Sequence, residues 1–65
     1  MTPKTLAVLK FIRNYVKKHE IPPTYKEIKK ETEVSQGGLN YILRNLETDG
    51  KIIRKIGRDR GSWPT

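Results

Sequence analysis

Sixty-five residues allow one domain with a modest core, on the order of 3–5 kcal/mol of stability, and leave no room for a substrate cavity walled by a second layer. The 34% of apolar residues fall in ordered clusters, there is no cysteine and one histidine, and no run of about 18 apolar residues occurs. Disorder, a disulfide framework, a zinc finger and a membrane span are thereby disfavoured, and the net charge of +7 points to a polyanionic partner.

The first predicted element is a helix over about 3–19. Thr2 can cap it, Pro3 is tolerated at its first position, and Leu9, Ile12 and Val16 form an apolar stripe flanked by Val8 and Phe11. Lys4, Lys10, Arg13, Lys17 and Lys18 give this segment a charge of +5 with no acid. Ile21-Pro22-Pro23 cannot continue it. His19 has no second histidine to share a metal, so a cation-favouring helix C-terminus is its reading.

Thr24-Tyr25-Lys26-Glu27 is a capping box, and a helix over about 25–32 follows with Ile28 as its core residue and Lys26, Lys29 and Lys30 outward. Thr32-Glu33-Val34 is a tight turn with Val34 tucked in. Ser35 caps a third helix over about 36–48, whose core face carries Leu39, Leu43 and Leu46 and which Asp49-Gly50 ends. Ile42 is the residue able to expose an apolar patch there.

The period then changes. Residues 51–56 are β-branched, Gly57-Arg58-Asp59-Arg60-Gly61 is a glycine-bounded turn, and Ser62-Trp63 is a return strand, so a hairpin is expected over about 51–64, with Trp63 packing it onto the helices. Residues 20–49 sum to −2 and residues 50–65 to +4, so positive charge sits at the two ends of the chain.

A mostly helical domain of three helices with a small hairpin is a winged helix-turn-helix, and its third helix suits the major groove of double-stranded DNA. The residues left outward on that helix are Gln36, Gly37, Gly38, Asn40, Tyr41 and Arg44; Asn and Gln can pair with adenine, and Arg with guanine. Backbone contacts are expected from Thr24, Tyr25, Lys26, Lys29 and Ser35, and wing contacts from Lys51, Arg54, Lys55, Arg58 and Arg60. Gly37-Gly38 has two readings: close backbone approach to DNA, or a loose first turn. No catalytic set, metal site or small-molecule cofactor is expected: Ser35 has no base, and Glu27, Glu31, Glu33 and Glu47 read as caps and surface charges.

The sequence resembles the N-terminal DNA-binding domain of the LexA repressors. The likeness runs through Leu9-Lys10-Phe11-Ile12-Arg13, through Pro22-Pro23-Thr24-Tyr25-Lys26-Glu27-Ile28, similar to the family's Pro-Pro-Thr-x-x-Glu-Ile, and through Gly57-Arg58-Asp59-Arg60-Gly61, similar to its Gly-x-x-Arg-Gly wing. The resemblance implies repression by occlusion of a promoter, in the cytoplasm of a prokaryote or from its virus or plasmid. It departs in a turn before helix 3 that reads one residue shorter and in Gly37-Gly38 where the family has bulkier polar residues. The family's Ser–Lys self-cleavage dyad has no counterpart here, so self-cleavage is not carried over. A shorter likeness joins Asn40, Gly50-Lys51-Ile52 and Trp63 to the Zα domains that bind left-handed nucleic acid, but that family's helical Tyr falls at Arg44 and its wing prolines precede the Trp, whereas Pro64 follows Trp63. A winged-helix protein-interaction module and a replication-initiator domain are the other readings. A homodimer on DNA is open to the chain, since one module covers a half-site.

Overall fold

Each helix begins where a side-chain oxygen can satisfy a backbone N–H that the helix itself leaves unpaired. In the computed structural model, which describes residues 2–55 and 61–65, Thr2 Oγ1 accepts from the amide of Thr5 at 3.1 Å ahead of α1 (Pro3–His19). Thr24 Oγ1 accepts from the amide of Glu27 at 3.1 Å, and Glu27 Oε1 accepts from the amide of Thr24 at 2.7 Å, which closes the capping box ahead of α2 (Tyr25–Thr32). Ser35 Oγ accepts from the amide of Gly38 at 3.1 Å ahead of α3 (Gln36–Thr48).

The helix ends differ. Both α1 and α2 stop on a glutamate in the left-handed region, Glu20 at φ 63° and Glu33 at φ 57°. A side chain there is strained, and the flanking Pro22-Pro23 and the inward pull of Val34 hold the two turns. The third helix ends more easily: Gly50 at φ 73° donates to the Glu47 carbonyl at 3.0 Å and Lys51 to that of Leu46 at 2.8 Å, a Schellman closure.

The core is one cluster: Val8, Leu9 and Ile12 of α1, Ile28 of α2, Val34 of the turn, Leu39, Ile42, Leu43 and Leu46 of α3, and Ile52 of the hairpin. Burying a side chain of this size contributes about 1.5–3 kcal/mol. Two expectations are corrected here. The α1 stripe is Thr5, Val8, Leu9 and Ile12, whereas Val16 is only half-buried, because the buried positions lie in the first ten residues of the helix. Ile42 is 6% exposed, so it fills the core and leaves no apolar patch.

The wing is a two-stranded antiparallel sheet, β1 (Ile52–Arg54) with β2 (Ser62–Pro64), paired Ile52↔Pro64, Ile53↔Trp63 and Arg54↔Ser62. β1 is shorter than the strand expected over 51–56, and Lys55 adds a bond from its amide to the Gly61 carbonyl at 2.8 Å. Alternation puts Ile52 and Ser62 inward, both buried, and Trp63 with Ile53 on the other face. Trp63 is half-buried, so the inward anchor of the hairpin is Ile52 rather than Trp63. The hydroxyl of Ser62 is buried without a hydrogen-bond partner among the described residues. Packing of β2 on α1 and β1 on α3 joins the wing to the helices.

Candidate nucleic-acid interface

The outward face of α3 follows from its inward one. With Leu39, Ile42, Leu43 and Leu46 buried, the helical period leaves Gln36, Gly37, Asn40, Tyr41 and Arg44 exposed and Gly38 half-buried. Tyr41 is 68% exposed, the most open of the large hydrophobic side chains among the described residues.

Two of these side chains are already linked to each other and to Lys29 of α2. Lys29 Nζ donates to Gln36 Oε1 at 2.6 Å, and Gln36 Nε2 donates to Asn40 Oδ1 at 3.3 Å. Lys29 is therefore half-buried and turned toward α3, not simply outward as its place in the sequence suggests. Nothing in the periodicity could reveal this link, because it depends on how two helices are set across the Glu33-Val34-Ser35 turn.

The two glycines are not equivalent. A Cβ on Gly38 would stand 3.2 Å from Ser35 Oγ, the atom that caps Gly38's own amide, so the cap explains glycine there. A Cβ on Gly37 would meet nothing within 4 Å. Nothing among the described residues requires glycine at Gly37.

Several expected contact residues have work inside the protein. The Thr24 and Ser35 hydroxyls are caps. Tyr25 Oη accepts from Arg54 Nη2 at 3.2 Å, and the Arg54 guanidinium stands 6.0 Å from the Tyr25 ring centre. This ties α2 to the wing and brings Arg54 to a cleft lined by Asn40, Tyr41 and Arg44, so α3 and β1 present one polar surface with two arginines. Lys26, Lys51 and Lys55 are exposed. Arg58 and Arg60 lie outside the described residues.

A bond the sequence did not disclose runs from Tyr15 Oη to Glu27 Oε2 at 3.0 Å. The carboxylate that closes the capping box thus also ties α2 to α1. Phe11, Tyr15 and His19 form a ladder along α1, with ring centres 5.7 and 4.3 Å apart, and line a groove against α2. Among the described residues no group of three or more His, Cys, Asp or Glu side chains is placed to hold a metal.

A first helix, two more joined by a three-residue turn whose last residue caps the polar-faced third, and a hairpin packed beside them define a winged helix-turn-helix domain. The model of the LexA DNA binding domain matches residues 1–61. The LexA repressor of Anaeromyxobacter dehalogenans is 35% identical over 66 residues, covering all of this chain and 29% of the relative. That of Thermotoga neapolitana is 35% identical over 60 residues, covering 92% of this chain and 30% of the relative. The chain belongs to the LexA DNA-binding domain family. It spans under a third of the length of these curated relatives.

Proposed function

We propose that the domain binds double-stranded DNA sequence-specifically, with α3 in the major groove and the wing beside it, and that it represses transcription by occluding a promoter. The observation that carries this is the division of α3: every apolar side chain of its inner face is buried, and the outer face is a row of exposed amide, phenol and guanidinium groups. Burial of Ile42 removes the patch that would have favoured a protein partner. Membership in a DNA-binding family and the +7 charge support the same reading.

The role is binding rather than catalysis, with no cofactor, and two copies on a two-fold site would supply the affinity a repressor needs. No helix among the described residues is long and apolar enough to cross a membrane, and a cytoplasmic site of action fits a DNA partner.

Selection of bound duplexes from a random pool tests this directly. An enriched motif, two-fold symmetric if the chain dimerises on DNA, is the expected result; no enrichment would remove sequence-specific reading. In a salt titration on the selected duplex, contacts to about 4–6 phosphates give a log–log slope of roughly −4 to −5. A flat response would sink the electrostatic part of the proposal.

A further inference from the structure

The bonds joining Lys29, Gln36 and Asn40 have a direction, and the direction is imposed by Lys29. An ammonium donates and cannot accept. The Gln36 atom 2.6 Å from Lys29 Nζ must therefore be the carbonyl Oε1. The other end of the same amide, Nε2, can only donate, so the Asn40 atom 3.3 Å from it must be Oδ1. That leaves Asn40 Nδ2 as the end of the amide not used by this bond. An amide's two ends are otherwise interchangeable; here one cation sets both. The charge-assisted bond at the head of the row also polarises the Gln36 amide and strengthens the next donor.

The result is a reading face on which both amide acceptors already carry a bond within the protein. Gln36 Oε1 and Asn40 Oδ1 are engaged, and Ser35 Oγ accepts from the Gly38 amide. What remains outward is Gln36 Nε2 with its second proton, Asn40 Nδ2, and the guanidinium of Arg44, exposed on the same helix. In the major groove guanine offers two acceptors, N7 and O6, and thymine one, O4, beside its methyl group, whereas adenine pairs its N7 with an N6 donor and cytosine shows an N4 donor; two or more outward donors are matched best by guanine. Asparagine reads adenine by using both ends of its amide, and here one end is held by Gln36.

We propose that Lys29 is a positioning residue which, through Gln36, fixes the Asn40 amide with its donor outward and makes this face of α3 select guanine. The inference rests on the proposed reading of duplex DNA by α3. Lys29 and Gln36 thus set which base Asn40 accepts, and the link crosses the helix-turn-helix turn from α2 to α3.

The test is selection from a random duplex pool by the parent chain and by Lys29→Arg, Lys29→Met, Gln36→Glu and Asn40→Ala, each with its affinity for random DNA measured in parallel. Asn40→Ala identifies the base pair that Asn40 reads. At that pair the parent should favour guanine over adenine by about fivefold or more. Lys29→Arg also only donates and should keep the preference. Lys29→Met frees both amides and should lose most of it. Gln36→Glu only accepts, so Asn40 Nδ2 turns to meet it, Oδ1 faces out, and the preference should move to a base with an exocyclic amine donor. Adenine at that position in the parent, or a Lys29→Met variant that keeps guanine while binding all DNA equally weakly, overturns the proposal and leaves DNA reading intact. Absence of any motif overturns both. A readout without DNA is the pair of side-chain amide resonances of Gln36 and Asn40: they should shift in Lys29→Met, and unchanged resonances overturn the relay.

Discussion

Helices α1 and α3 share one core and divide the electrostatics between them. Helix α1 carries Lys4, Lys10, Arg13, Lys17 and Lys18 with no acid, and α3 carries only Arg44 and Glu47, which cancel. The helix fit to read bases is the neutral one. Reading depends on fixed dipoles at short range, which a dense positive charge would blur by binding any phosphate; attraction depends on net charge, which acts over about 10 Å at ordinary salt and needs no particular geometry. On the proposed reading of duplex DNA, separating the two would let the domain find DNA with one surface and test its sequence with another.

That division presumes that the helices move as one body, and the largest expected effect tests it. Leu43 is fully buried in the cluster that also holds Leu9 and Ile12 of α1. Leu43→Ala should cost about 2–5 kcal/mol, comparable to the whole stability of so small a domain. Denaturant unfolding followed by circular dichroism should show both helices lost in one transition. Separate transitions for α1 and α3 would break the comparison at its root.

The next effect isolates the reader. Asn40→Ala should cost about 1–3 kcal/mol on the selected duplex and almost nothing on random DNA. The ratio of the two affinities is the measurement, and an unchanged ratio would take Asn40 out of the reading face. The attractor is tested by the opposite signature. Replacing Lys10, Arg13 and Lys17 together by Gln should slow association with both kinds of duplex by about tenfold at low salt. The ratio of affinities should then stay constant. A change in that ratio would show that α1 takes part in recognition.

How far the sequence disclosed this depends on the range of the interaction. Caps and breakers act within four residues, so Thr2, Thr24-Glu27, Ser35 and Gly50 mark the helix limits by themselves. The apolar period assigned Leu39, Leu43 and Leu46 correctly but left Ile42 open, because a broad α3 face cannot be bounded without its neighbours. Interactions between elements were invisible. The Tyr15–Glu27, Tyr25–Arg54 and Lys29–Gln36 bonds each require the relative placement of two elements, and Tyr25 and Lys29 looked like free surface groups without it. Trp63 misled because its size suggested an anchor, whereas strand alternation gave that place to Ile52.

The smallest expected effect is also the one whose sign separates folding from reading within α3. Gly37 is exposed, has no positive φ, and would carry a Cβ into open space. In such a position alanine limits the unfolded chain and favours the helix, so Gly37→Ala should stabilise the domain by about 0.5–1 kcal/mol. For a domain of this size that raises the unfolding midpoint by a few degrees, at most about 8 °C. Gly38→Ala is the contrast: its Cβ presses on Ser35 Oγ at 3.2 Å, the cap must give, and the gain should shrink or reverse. If Gly37 serves the folded chain alone, the stabilised variant should bind DNA as well as its parent or better. If instead the helix N-terminus brings its backbone against a phosphate, an added methyl group stands in the way, and duplex affinity should fall while stability rises. Opposite movements of midpoint and affinity are the expected outcome, because no contact among the described residues requires glycine at this position. Parallel movements would return Gly37 to an ordinary first turn and leave reading to the side chains of Gln36, Asn40 and Arg44.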